Sequence, residues 1–322
     1  MIDLKQCRVL VTATSYAMND PTLRSDLESA VGEVIYNPTN RPLTSEDLSS
    51  MIGGIDGMIA GLDEITRDVI DKADRLRVIA RYGVGLDRVD LEAARQKGIV
   101  VTNTPGANAV SVAELTVGLM IALARHLIDA NQRTKAGEWP RLRGVSLKGK
   151  VVGLLGLGAI GCHVAQILRG FECRVIGFDP AVSPEQATAW DVEWMERDDV
   201  LRQADFLSLF FHVTASTENM LSRELIGLLK HGAFLINTAR SELIDEDALV
   251  EALESGRIAG AALDTFRREP PGADYPVLRF SRVIATPHTG AHTDDATNAM
   301  GRAALSECLA VLRGEKPKFR IV

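Results

Sequence analysis

Lys150-Val151-Val152-Gly153-Leu154-Leu155-Gly156-Leu157-Gly158-Ala159-Ile160-Gly161 decides how the rest of the chain is read. Its first half is a short apolar run, the pattern of a strand buried on both faces. Its second half is G-x-G-x-x-G, and it opens an apolar stretch through Val164, Ala165, Ile167 and Leu168 at helical spacing. Strand, glycine turn and helix in that order suit a dinucleotide pyrophosphate. Gly156 permits the tight turn, Gly158 lets the backbone approach the phosphates, and Gly161 lets helix pack on strand. The helix start at Ala159, Ile160 and Gly161 then offers its amides to the anion. Glycines also serve plain turns, so the next strand matters. Arg174–Phe178 is followed by Asp179, eighteen residues after Gly161. A carboxylate there accepts from the adenosine ribose hydroxyls and repels a 2'-phosphate, and Pro180-Ala181 brings no arginine to hold one. The expected cofactor is NAD rather than NADP. The competing reading of Asp179 is an ordinary strand-terminal acid capping a turn.

Working outward, the apolar runs 206–211, Ala233–Asn237 and Ile258–Leu263 bring the series to five buried strands, which implies a doubly wound sheet. Helical stretches at 222–230 and 246–255 separate them, with Ser222 and Asp245 as N-caps. Upstream, the runs 8–12, 57–61, 77–81 and 98–102 form a second, smaller sheet. Residues 110–125 are apolar all round, as in a buried helix joining two domains. An amphipathic helix at 294–313 returns to the first domain. The expected fold is α/β, with two Rossmann-like doubly wound domains and a cleft between them. A flavodoxin-like substrate or lid domain covers 1–103 and is completed by 291–322; the NAD-binding domain covers 104–290. At 322 residues the chain also exceeds what one core usually supports.

Hydrophobic residues make up 46% and charged residues 25%, so the chain is globular. Lys and Arg total 36 against 43 Asp and Glu, a net charge of -7 that disfavours nucleic-acid partners. Cys7, Cys162, Cys173 and Cys308 form no CxxC pair and have no histidine at zinc spacing, so they read as free thiols without metal. The start Met1-Ile2-Asp3-Leu4-Lys5-Gln6 lacks the basic and apolar regions of a signal peptide, and no apolar run reaches membrane-spanning length. A soluble, cytoplasmic protein without membrane partners is expected.

Three segments supply a proton donor and an anion clamp. Arg240 follows the strand Ala233–Asn237 within Asn237-Thr238-Ala239-Arg240, at a carboxyl-end strand tip where open α/β sheets bind ligands. Asp264 ends the next strand, and Glu269 lies just beyond it. His288 closes the apolar run 282–288 and is followed by Thr289-Gly290. Singly, each has a plain alternative: His288 packing a turn, Arg240 capping a helix or pairing with Glu242, Glu269 as a solvated acid.

Taken in order, Arg81-Tyr82-Gly83-Val84-Gly85-Leu86-Asp87, Asn103-Thr104-Pro105, Gly156 to Gly161, Asn237 to Arg240, Ala262 to Phe266 and Thr286 to Gly290 resemble the D-isomer-specific 2-hydroxyacid dehydrogenases, in their phosphoglycerate dehydrogenase-like branch. The resemblance covers nearly the whole chain. It implies Arg240, Glu269 and His288 as the catalytic set and the backbone around Val84-Gly85 as a cradle for the substrate carboxylate. His288 would exchange the proton, Glu269 would orient its ring and favour its charged form, and Arg240 would hold the carboxylate and polarise the carbonyl. Thr238, Ala239, Asp264 and Gly290 would join the cofactor site, Asp264 near the nicotinamide. The other five histidines, His126, His163, His212, His231 and His292, are read as structural, with His212, at a strand end, also a candidate to face the cofactor.

Two departures narrow the substrate. Where phosphoglycerate-specific members frequently present an arginine, this chain reads Gly61-Leu62-Asp63-Glu64, which counts against 3-phosphoglycerate. The family's Pro-rich segment after His212 is here Val213-Thr214-Ala215-Ser216-Thr217. Arg81, Lys135, Arg141 and Arg143 are candidates to select among glyoxylate, hydroxypyruvate and a sulfonated lactate. The chain ends at Val322, so no serine-feedback domain is expected after it. The resemblance also implies a homodimer through the segment from Arg125 past Trp139 to Arg143. Rival readings are a dinucleotide-sensing corepressor and a formate- or phosphite-type dehydrogenase of the same fold.

Overall fold

The computed structural model describes residues 3–322; the part of the N-terminal reading that rests on Met1 and Ile2 lies outside them. The chain divides into two compact units, one running to Asn108 and resuming over His292–Val322, the other spanning Ala109–Ala291. Residues 103 and 104 stay with the first unit because the Asn103 amide donates to the Phe319 carbonyl (3.4 Å) and the Thr104 amide to that of Gly83 (3.1 Å).

Among the described residues the first unit holds a parallel sheet of five strands: β1 (Arg8–Val11), β2 (Glu33–Tyr36), β3 (Gly57–Ala60), β4 (Val78–Arg81) and β5 (Val100–Thr102). Their order is β2-β1-β3-β4-β5, the flavodoxin-like arrangement, with its reversal between β1 and β3. β3 and β4 are buried on both faces, as their continuous apolar runs require. β2 sits at the edge, and none of its residues is buried, so the sequence carries no such run there. The helix Asp294–Leu312 packs on β3 and β4. Glu307, 4% exposed, accepts from the amides of Lys318 (3.1 Å) and Phe319 (2.9 Å) and so draws the last residues against β5. There the Ile321 amide donates to the Val101 carbonyl (2.8 Å).

Among the described residues the second unit has seven parallel strands: β6 (Val151–Leu155), β7 (Arg174–Phe178), β8 (Glu193–Trp194), β9 (Phe206–Leu209), β10 (Ala233–Asn237), β11 (Ile258–Leu263) and β12 (Val283–Ala285). The order β12-β11-β10-β9-β6-β7-β8 reverses between β6 and β9, where doubly wound sheets bind ligands. Register fixes what lies at that edge. Leu155 pairs with Phe178 and Leu209, Leu209 with Asn237, Asn237 with Leu263, and Leu263 with Ala285. The residues that follow, Gly156, Asp179, Phe210, Thr238, Asp264 and Thr286, therefore leave the sheet side by side. The helix Ala109–Ala124 packs on the helix Ala159–Leu168 and on β10 and β11, while Val110, Glu114 and Gly118 leave one of its faces exposed within this unit. Ser222 and Asp245 cap their helices as expected, accepting from the Leu225 and Ala248 amides. Among the described residues no single helix is long and apolar enough to cross a membrane.

Candidate active site

The turn after β6 is shaped for a phosphate group. Gly156 has φ +103°, a left-handed conformation, and a Cβ there would come within 3.0 Å of the Phe210 carbonyl carbon. A Cβ on Gly161 would stand 2.3 Å from the Gly156 carbonyl oxygen, so only glycine allows the helix to approach the turn. Gly158 is the N-cap of the helix Ala159–Leu168; it contributes no side-chain cap, and a Cβ there would meet nothing within 4 Å. The first amides of that helix thus have no capping side chain, which fits an anion.

Asp179 holds the turn as well as facing it. Its Oδ2 accepts from the Leu157 amide (2.9 Å) and its Oδ1 from the Ala181 amide (2.9 Å), so its carboxylate caps the turn. Cys162 donates from Sγ to the Leu157 carbonyl (3.3 Å). Burial first, and then the charge of Asp179, push its thiol up to about 11, so it stays neutral beside the phosphate turn at pH 7.

At the other end of the edge, the Asn237 side chain, fully buried, accepts from the Ala239 amide (3.1 Å) and donates to the Arg240 carbonyl (2.7 Å). The Thr238 hydroxyl pairs with that of Thr116 (2.8 Å) in the helix Ala109–Ala124. Asp264, 1% exposed, accepts from the Thr286 hydroxyl (2.5 Å) and the Thr289 amide (2.9 Å) through Oδ1, and from the Gly290 amide (2.9 Å) through Oδ2. The sequence reading gave Asp264 to the nicotinamide; the structure commits its carboxylate to both flanks of the loop carrying His288. Ser111 also donates to the Gly290 carbonyl (2.6 Å). This grip matters because His288 has φ +53°, a conformation costing about 1–3 kcal/mol that persists only where the surroundings impose it.

His288 Nδ1 lies 3.1 Å from Glu269 Oε1 and 3.0 Å from Oε2, with both side chains largely but not wholly covered, at 24% and 18% exposed. A carboxylate on Nδ1 fixes the tautomer and leaves Nε2 to exchange a proton. Glu269 Oε1 also accepts from the Phe266 amide (3.1 Å). Beneath this loop Tyr275 packs edge-on against Phe266 at 5.5 Å and its hydroxyl accepts from the Arg267 amide (3.3 Å). Tyr275 had no sequence signal, because a tyrosine in a polar loop carries no pattern.

The loop after β4 is held from one side. The Gly83 carbonyl accepts from the Thr104 amide (3.1 Å) and the Val84 carbonyl from Asn103 Nδ2 (3.0 Å). A trans peptide points its N–H opposite to its C=O, so the amides of Val84 and Gly85 are turned away from those partners. Arg81, expected among the substrate ligands, is 3% exposed and donates to the carbonyls of Gly85 (3.0 Å) and Ala60 (2.7 Å). Its place is under the loop, where it ties the Gly85 carbonyl to the Ala60 carbonyl, which also accepts from the Tyr82 amide (2.8 Å). Asp63, 1% exposed, accepts from the Leu43 amide (2.8 Å) and the Thr12 hydroxyl and is structural. Lys135, Arg141 and Arg143 are exposed, in the second unit. Among the described residues no group of three or more His, Cys, Asp or Glu is placed to hold a metal.

The pattern of the D-isomer specific 2-hydroxyacid dehydrogenase NAD binding domain matches residues 117–290. A D-3-phosphoglycerate dehydrogenase of Methanocaldococcus jannaschii is 45% identical over 302 residues, 92% of this chain and 57% of that protein. A hydroxypyruvate reductase of Thermotoga maritima is 39% identical over 289 residues, 88% of this chain and 94% of that one. The chain thus spans little more than half of the first relative and nearly all of the second. A crystal structure of a Thermus thermophilus protein superposes with a TM-score of 0.86 at 35% identity, covering 98% of this chain and all of that one.

Proposed function

Because the chain belongs to the D-isomer-specific 2-hydroxyacid dehydrogenase family, we propose that it reversibly reduces a small anionic 2-keto acid to the D-2-hydroxy acid with NADH. The observation that carries this is the Glu269–His288 pair, set on the same sheet edge as the glycine turn. Gly156, Gly158, Ala159, Ile160 and Gly161 take the pyrophosphate, and Asp179 takes the adenosine ribose. Thr238, Ala239, Arg240, Asp264, His288 and Gly290 line the nicotinamide end. When bound, the reduced nicotinamide supplies the hydride that goes to C2.

The protein's own residues do the rest. As C2 gains the hydride, the carbonyl π-electrons move to oxygen, and His288 Nε2 gives that oxygen its proton. Glu269, bonded to Nδ1, holds the ring's orientation. Arg240 offers a planar, permanently charged fork to the substrate carboxylate and draws charge toward the carbonyl oxygen. The Val84 and Gly85 amides bind the carboxylate, with Arg81 fixing their loop from below. In the reverse direction neutral His288 takes the hydroxyl proton.

The stretch Gly61-Leu62-Asp63-Glu64 carries no phosphate-binding cation, which favours glyoxylate- or hydroxypyruvate-like acids over phosphorylated ones. The helix Leu127–Lys135 has no buried residue, and Leu127 and Ile128 are each 47% exposed with Trp139 at 81%, which supports a homodimer through this segment in a cytoplasmic protein. NADH oxidation, followed at its absorbance band against glyoxylate, hydroxypyruvate, phosphohydroxypyruvate, pyruvate, oxaloacetate and sulfopyruvate, tests the reading. Turnover with an unphosphorylated acid is expected. Tight NADH binding with no turnover would favour a dinucleotide sensor.

A further inference from the structure

We propose that Asn237 is a positioning residue for Arg240, the element that gives the guanidinium its aim; this rests on the reading of Arg240 as the keto-acid clamp. Asn237 is the last residue of β10 and its side chain is fully buried. A buried amide is costly unless both its ends are bonded. Here both are bonded within three residues: Oδ1 to the Ala239 amide (3.1 Å) and Nδ2 to the Arg240 carbonyl (2.7 Å). The Asn237 carbonyl in turn accepts from the Asp264 amide (3.0 Å), anchoring the turn to the end of β11.

Arg240 completes the same small structure. Its backbone is extended (φ -142°, ψ 137°), and its Nη1 donates back to the Ala239 carbonyl (2.8 Å). The turn and the start of the guanidinium's path are therefore set by one carboxamide. Its demands are narrow. Aspartate matches the shape but has no donor for the Arg240 carbonyl, serine is too short to span both partners, and glutamine is one methylene too long for a turn this tight. A neutral side chain of this length with one donor and one acceptor means asparagine.

Asn237→Asp and Asn237→Ser test this, measured together with Arg240→Lys. The expected result for Asn237→Ser is a KM for the keto acid raised about tenfold or more, NADH affinity within about twofold of the parent, and faster hydrogen exchange at the Ala239 amide. Asn237→Asp should raise KM too, because it keeps the acceptor for Ala239 but loses the donor. In the Arg240→Lys background, Asn237→Ser should add little further change, since its effect passes through Arg240. Additive effects, an unchanged KM, or a parallel loss of NADH affinity would overturn the proposal and leave Asn237 a support of the strand end. The exchange measurement needs no turnover. A parent inactive on every keto acid would sink the dehydrogenase reading, while Ala239 exchange unchanged in both variants would sink the positioning role by itself.

Discussion

Two sheets of the same kind end very differently in this molecule. Both are parallel, doubly wound and buried, and each reverses strand order at one point. At the carboxyl edge of the five-stranded sheet the charged side chains Asp63 and Arg81 are turned inward, 1% and 3% exposed, and bonded largely to backbone. The loop after β4 there is held through its main chain, the Gly83 and Val84 carbonyls accepting from Thr104 and Asn103. At the corresponding edge of the seven-stranded sheet the glycine turn leaves an uncapped helix start, and Glu269 and His288 keep part of their surface open. Architecture is thus shared while chemistry is not. Buried Asp63 and Arg81 support backbone at one edge; at the other, buried Asn237 and Asp264 do the same while Glu269 and His288 stay partly open above them.

The contrast predicts different outcomes for substitutions at the two edges. The largest effect belongs to His288→Ala, which should lower kcat by about 10²–10⁴-fold and leave NADH affinity nearly unchanged, by steady-state kinetics and fluorescence titration. Near-normal kcat would remove His288 from proton transfer. Next comes Gly161→Val, whose Cβ meets the Gly156 carbonyl. Overpacking of about 1–3 kcal/mol should weaken NADH binding by roughly 5- to 150-fold, and unaltered binding would mean the turn is not the pyrophosphate site.

Arg81→Met probes the other edge. It removes the donor of the half-buried Gly85 carbonyl and leaves the Ala60 carbonyl only the Tyr82 amide, so urea unfolding should show a loss of about 1 kcal/mol, with a raised keto-acid KM and unchanged NADH affinity. A change in NADH affinity alone would contradict the division of labour drawn above. Asp179→Ala should have the smallest effect, about 1 kcal/mol or roughly fivefold weaker NADH binding, since the Leu157 amide loses its acceptor. Adding Ala181→Arg should then move the NADP-to-NAD ratio toward NADP, and an unmoved ratio would separate Asp179 from ribose recognition.

Much of this was legible in the sequence because the residues involved announce themselves. Gly156, Gly158 and Gly161 stand between an apolar run and an apolar helix, and Asp179, Arg240 and His288 each follow a strand that is a continuous apolar run. β2 and β8 were not legible, since Glu33-Val34-Ile35-Tyr36 forms a half-covered edge and Glu193-Trp194 is two residues long. The bonds of Arg81 to the Gly85 and Ala60 carbonyls were not legible, because a cation at a strand end looks the same in sequence whether it meets a ligand or a carbonyl. Asp264 was placed at the right edge, but its engagement with the His288 loop depends on amides twenty-five residues away. Asn237 and Tyr275 act through local turns and ring packing, which leave no periodic trace.

The central claim is that this chain moves a hydride to C2 of a 2-keto acid with the proton coming from His288. Its most direct test is a single-turnover reaction of the protein with NADH deuterated at C4 and an unphosphorylated 2-keto acid, beside His288→Ala. The account predicts deuterium at C2 of a D-2-hydroxy acid, formed at least a hundredfold more slowly, roughly, by the variant. Tight binding of the deuterated cofactor with no deuterium in any hydroxy acid, or equal rates for the two proteins, would contradict it.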